Sequence, residues 1–259
     1  MTQLALSTLG LPNHSLEQAA DLAAEHGLTG LELRCAPGQP VDTDLSDAAR
    51  ARAARVLADR GLTALSVAGY IGIAAPGSDE LILAALHDQL RLAADIGAAG
   101  VRVFPQGGDH GPAADLRAVR RLAAVAPYAA ELGVRVLVET HDSHSGGRDL
   151  ARVLSQVDHP AVGALWDSMH TWLAGESVGE THAALAPWLA YVQVKDIAGH
   201  NDRTPLALGA GVLPLAELLR ALPAACWVSW EYEAPWYPEA AALPDLLGSG
   251  ATLLRELRG

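Results

Sequence analysis

The chain has one lysine against 17 arginines, only two cysteines, and fewer basic than acidic residues. No apolar run reaches membrane-spanning length, which leaves no reason to expect a membrane partner. The cysteines, Cys35 and Cys226, form no spacing motif and read as free thiols beside strands in a reducing cytoplasm. The 18 basic residues face 30 acidic ones, a net charge of −12 that repels nucleic acid and anionic membrane. The nearest thing to a basic patch, Arg117, Arg120 and Arg121, has helical spacing and reads as a solvated helix face. No G-x-G-x-x-G follows the first strand, which disfavours an open dinucleotide-binding sheet. The N-terminal MTQLALSTLGLPN lacks a basic segment and reads as a first strand, not a signal peptide, so the expected compartment is the cytoplasm. The Ala/Arg bias reflects codon composition and carries little functional weight.

What is present is a repeat. EHGLTGLEL, DRGLTALSV, DIGAAGVRV and ELGVRVLVE each place an acidic residue two before a glycine, then an apolar strand. Their glycines, Gly27, Gly61, Gly97 and Gly133, are 34, 36 and 36 residues apart, the length of one helix, one turn and one strand. Glycine there can close the helix in the left-handed conformation. Long Ala/Leu-rich helices between them argue for crossover helices on a parallel sheet, not a solenoid. Strands are expected near 3–7, 30–34, 63–67, 100–104, 134–139, 162–167, 190–195 and 226–231. Helices are expected near 16–26, 46–60, 79–96, 113–132, 147–156, 179–189, 214–222 and 244–257, with Ser15 and Ser78 as caps. Eight of each, without linker or domain break, predict an α/β fold: a single (β/α)8 TIM barrel over 1–259.

Four apolar runs in the second half end in polar residues. VRVLVE ends at Glu139, VGALWD at Asp167, LAYVQ at Gln193 and CWVSWE at Glu231. In a parallel barrel the C-terminal strand ends converge on one rim. One strand-end carboxylate often caps a helix or pairs with a base. Three gathered there repel one another unless a divalent cation lies between them. All-oxygen ligation suits Mn2+, Mg2+ or Co2+ better than a thiolate-type zinc site.

Around these four lie further candidates. His170 follows Asp167 by three residues and is placed to bond a ligand carboxylate or a substrate oxygen. Gln193 and Lys195 share one strand face by period-two alternation, with Asp196 on the other; Lys195 pairs with a carboxylate or a substrate oxygen. His141 and His144, just past Glu139, are expected to line the pocket or support its ligands. Arg203 is a candidate contact to a substrate hydroxyl or phosphate. Glu32 and Arg34 end strand two and either pair with each other or leave Arg34 facing the pocket. The glycine-rich FPQGGDHG of 104–111 matches no phosphate-binding signature.

These residues resemble the xylose isomerase-like barrel superfamily, in particular its sugar phosphate isomerase/epimerase branch, over nearly the whole chain. The resemblance rests on V-E-T-H after strand five, D-x-x-H-x-x-x-x-G-E after strand six, V-x-V-K-D on strand seven and W-E on strand eight. It implies one divalent metal, often Mn2+, held by Glu139, Asp167, Gln193 and Glu231. It also implies Glu139 and Glu231 as an acid/base pair acting on an enediolate. The usual strand-seven His is Gln193 here, as in members resembling hydroxypyruvate isomerase. The acidic centre of a G-E-G motif after strand seven is Ala210. The expected function is isomerisation or epimerisation of a small sugar or polyol-derived keto compound, with His141, His170, Lys195 and Arg203 contacting it. The alternative is an inosose- or dehydroshikimate-type dehydratase, with Lys195 or His170 as the acid. A non-catalytic barrel is disfavoured by retention of all four ligand-type residues. An apurinic endonuclease is disfavoured by the acidic surface and the lack of extra histidines. Self-association into a homo-oligomer is left open.

Overall fold

The four repeat glycines adopt φ of +69°, +65°, +76° and +66°, so each turns the chain out of a helix and into the next strand. The computed structural model describes residues 3–108 and 111–259. In chain order these form β1 (Leu4–Ser7), α1 (Leu16–Glu25), β2 (Gly30–Arg34), α2 (Asp47–Ala58), β3 (Thr63–Gly72), α3 (Asp79–Ile96), β4 (Gly100–Phe104) and α4 (Pro112–Glu131). There follow β5 (Arg135–Glu139), α5 (Gly147–Val157), β6 (Val162–Asp167), α6 (Ser168–Leu173), α7 (Val178–Leu185), β7 (Leu189–Val194), β8 (Ile197–Gly199), β9 (Asp202–Pro205), α8 (Leu215–Ala221), β10 (Trp227–Trp230) and α9 (Leu243–Arg258). Eight strands close in the order β1-β10-β7-β6-β5-β4-β3-β2, all parallel, while β8 and β9 form a separate antiparallel hairpin. This is a (β/α)8 TIM barrel. Among the described residues no helix is long and apolar enough to cross a membrane.

Alternation along the strands makes two interior levels. Ala5, Leu65, Leu137, Leu165 and Tyr191 pack together as an apolar floor, separate from the larger core between sheet and helices. Two residues further along the same strands stand Ser7, Glu139, Asp167 and Gln193, all buried. The barrel is thus apolar at its base and crowded with carboxylates at its C-terminal rim.

Three elements depart from expectation. β3 runs on to Gly72 because its glycines hide a continuing strand. The hairpin β8–β9 occupies a stretch whose polar residues carry no strand pattern. The short helix α6 starts at once after β6 because the Asp167 carboxylate accepts from the N–H groups of Met169 and His170. Ser15 caps α1 through a reciprocal box with Gln18, whereas Ser78 precedes α3 without a side-chain cap bond.

Arg117, Arg120 and Arg121 do not form a solvated face. Only Arg120 is exposed, and it pairs with Asp79. Arg121 is 0% exposed and donates to the carbonyls of Ile73, Ala75 and Gly77 and to Asp79. Arg117 donates to the carbonyls of Ala74 and Gly107. The trio clamps the loop after β3. Helical spacing alone cannot reveal that the loop brings uncapped carbonyls to the helix. Arg121→Lys keeps the charge but loses the fork, so it should destabilise by roughly 1–3 kcal/mol in denaturant titration. A variant as stable as the parent would show that the clamp is slack.

Candidate active site

Lys195 is the centre of the rim. It lies on the inward face just past β7, and its Nζ is 2.7 Å from Asp167 Oδ2 and 2.7 Å from Glu233 Oε1, with Glu231 Oε2 also bonded. Burial would depress its pKa, but the three carboxylates hold it well above the ordinary lysine value. Asp196, one residue on, faces away and accepts from the N–H groups of Gly209, Gly211 and Leu213, tying down the chain around Ala210.

Glu139 and Glu231 end β5 and follow β10 and are almost fully buried. Arg102 Nη1 donates to Glu139 Oε2 at 2.8 Å. Burial raises the Glu139 carboxyl above the ordinary range despite Arg102, and raises that of Glu231 much further despite Lys195. Burial also pushes Asp167 up, but Lys195 and His170 outweigh it and leave that carboxyl low. The rim therefore holds one firmly ionised acid and two that bind protons more readily.

Gln193 is completely buried. Its Nε2 is 3.0 Å from both oxygens of Glu32 and 3.0 Å from Glu231 Oε1. Glu32 also accepts from Ser7 at 2.8 Å and from the Tyr191 hydroxyl at 2.7 Å. Glu32 and Arg34 do not pair; Arg34 instead donates to the Tyr70 hydroxyl and lies over the Trp236 ring.

Above the carboxylates is a cavity of about 200 Å3, lined by Arg102, Glu139, His141, His170, Glu231 and Glu233 and rimmed by Tyr70, Phe104, Trp236 and Tyr237. Arg203, on β9, reaches its mouth. The imidazoles of His141 and His170 lie 4.1 Å apart between centroids. Burial drives His170 down to about 4, so it is neutral at pH 7. His141 loses to burial but gains more from its hydrogen bond to Asp142 and from Glu139, and ends above the ordinary value. His144 does not line the pocket. It is buried against Asp115 of α4, 2.9 Å from Nε2, because its side chain leaves the opposite side of the turn. Part of the glycine-rich loop, Asp109 and His110, lies outside the described residues. A larger open groove of about 520 Å3 between α1 and α2 holds Glu17 and Arg52, which pair with each other, so it offers no comparable chemistry.

The donor set fits a divalent cation. Five carboxylates, Glu32, Glu139, Asp167, Glu231 and Glu233, face two permanent cations, Arg102 and Lys195. Glu139, His141 and His170 can bring one ligand atom each within 4.8 Å of one another, as can Asp167, Glu231 and Glu233. Among the described residues, Gln193 Oε1 is buried without any hydrogen-bond donor. Asp167 Oδ2, by contrast, is already paired with Lys195 Nζ at 2.7 Å. Buried acceptors without donors are costly, and a cation satisfies them. The residues hidden from sequence reasoning are Glu233, Arg102 and Tyr191. Glu233 had a signal: it continues the period-two face from Glu231.

The chain belongs to the xylose isomerase-like TIM barrel family, whose profile matches residues 20–257. No curated protein sequence matches it. Among solved structures it resembles the probable 3-DHS dehydratase AsbF involved in petrobactin synthesis from Bacillus anthracis, at 18% identity and TM-score 0.80 over 98% of each chain. It also resembles an L-ribulose 3-epimerase, at 16% identity and TM-score 0.81 over 100% of this chain and 95% of that one. A third is the IOLI protein with a bound zinc atom, at 15% identity and TM-score 0.81 over 100% and 98%. At these identities the likeness establishes the fold.

Proposed function

We propose that this chain is a divalent-metal-dependent isomerase or epimerase of a small sugar or polyol-derived keto compound. The observation that carries the reading is the pair Glu139 and Glu231, two buried carboxyls facing one small polar cavity. They stand on β5 and after β10, separated around the barrel by β6 and β7, so they approach a substrate from different sides. One, ionised, takes the proton from the carbon beside a carbonyl, leaving an enediolate, and the other, protonated, delivers its own proton to the opposite face in epimerisation or to the neighbouring carbon in isomerisation. Glu139, Asp167, Gln193 and Glu231 would hold one cation, Mn2+ by preference with Mg2+ or Co2+ as alternatives, and Glu233 stands within reach. The chemistry that cation supplies when bound is polarisation of the substrate carbonyl. Neutral His170, Arg203 and His141 offer hydrogen bonds to hydroxyls at the mouth, Lys195 keeps two of the ligand carboxylates in place, and the aromatic rim suits the apolar face of a sugar.

A dehydratase of the same fold is the second reading, because it begins with the same proton abstraction. It then needs an acid for the departing hydroxyl. His170 is neutral at pH 7 and Lys195 is locked by three carboxylates, so neither candidate is well suited. His141, raised above the ordinary value by its hydrogen bond to Asp142 and by Glu139, is the better-placed acid for this reading. The test is to load purified protein with Mn2+, count metal per chain, and incubate it in D2O with ketopentoses, ketohexoses and inososes under NMR. The expected result is about one cation per chain, and deuterium at a carbon next to the carbonyl together with an isomer or epimer. Loss of water from substrate would replace the first reading by the second. Absence of metal uptake would end both.

A further inference from the structure

Glu32 is a fully buried carboxylate that the reading above does not use. It lies on β2, does not line the cavity, and among the described residues receives neutral donors: Ser7, Tyr191 and Gln193. The Tyr191 hydroxyl donates its one proton to Glu32, which leaves Ser66, 2.8 Å from the same oxygen, as the donor to Tyr191. The Gln193 amide is thereby constrained. Its nitrogen carries two N–H groups, and the two nearest acceptors are carboxylates, Glu32 and Glu231, each 3.0 Å away. An amide turned the other way would set its oxygen against both carboxylates. The observed orientation leaves Oε1 without a donor among the described residues. An imidazole has no such ambiguity of oxygen and nitrogen, so a need to set the amide arises with glutamine on this strand.

We propose that Glu32 is a positioning residue for the metal site: it holds the Gln193 nitrogen and so commits the Gln193 oxygen to the cation. This rests on the metal-dependent reading above. Partners that orient a metal ligand typically matter by about 10- to 100-fold in metal affinity.

The experiment is a Mn2+ titration followed by the electron paramagnetic resonance signal of free ion, for the parent and for Glu32→Gln, Gln193→Leu and the double variant. Thermal unfolding of each metal-free protein serves as the folding control. Glu32→Gln should weaken Mn2+ binding by about 10-fold or more. Gln193→Leu should also weaken it. In the Gln193→Leu background, adding Glu32→Gln should change affinity by less than about 2-fold, because the residue it orients is gone. A merely structural effect of Glu32 would persist in both backgrounds. Should Glu32→Gln not fold, Tyr191→Phe removes one donor to Glu32; a smaller loss of the same sign, absent with Gln193→Leu, supports the proposal. Unchanged affinity in Glu32→Gln, or an equal loss in both backgrounds, would overturn it. A parent that takes up no Mn2+ is seen in the first titration and removes the functional reading itself.

Discussion

Glu139→Gln and Glu231→Gln should each keep measurable Mn2+ while losing about 100- to 10,000-fold in turnover, the usual cost of removing a general base. The substitution retains an oxygen of the same reach but not its basicity. Metal affinity should fall unequally. Glu231 is tied to Lys195 and Gln193, so its amide variant disturbs two neighbours; among the described residues Glu139 is tied by hydrogen bond to Arg102. Exchange of solvent deuterium into substrate separates the two roles. The variant lacking the abstracting base loses exchange, while the variant lacking its partner can still exchange without completing the inversion. Either variant showing bound metal and near-parental turnover would refute the two-glutamate mechanism. Gln193 provides a companion test, since Gln193→His should keep or tighten metal binding, imidazole being a good donor to transition metals. If it and Gln193→Leu both bind like the parent, Gln193 is not a ligand.

Most of the barrel was legible because its signals are local. A glycine forced to positive φ, an apolar run and a capped helix each state their role within ten residues, and Gly27, Gly61, Gly97 and Gly133 all take the conformation their spacing implied. Period-two alternation likewise put Gln193 and Lys195 on one face and Asp196 on the other, as observed. What stayed hidden depends on register between distant strands. That Glu32 meets Gln193, 161 residues away, follows from strand stagger and not from any motif. Arg102 reads as one charge in an apolar strand until β5 brings Glu139 beside it. Arg121 looked solvated because its partners are backbone carbonyls, which leave no mark on the sequence. His144 looked like its neighbour His141 because turn geometry, not residue type, decides which of two nearby histidines enters the pocket.

Lys195→Met should destabilise the metal-free protein by roughly 3–5 kcal/mol at neutral pH, the usual cost of leaving buried charge without its partner. At about 2–4 °C per kcal/mol for a chain near this size, the midpoint should fall by about 6–20 °C. The loss should depend on pH, and its sign follows from the carboxyls left behind. Lys195 is among the groups that hold Asp167 low, and it restrains Glu231 from rising further. Without it both carboxyls rise, and the folded state binds protons that the unfolded state has already released. Stability then falls as pH climbs above the unfolded carboxylate range of about 3.9–4.3. The deficit relative to the parent should be small near pH 4.5 and grow toward pH 8. A divalent cation should recover part of it, because binding to the folded state alone stabilises by RT ln(1 + [L]/Kd). Thermal unfolding of parent and variant across pH 4.5–8, in chelator and then in excess Mn2+, measures all three effects. A deficit that stays flat with pH would mean that the three carboxylates do not depend on the ammonium for neutralisation. Lys195 would then be a packing residue, and the charge imbalance at the rim would lose its force as support for a bound cation.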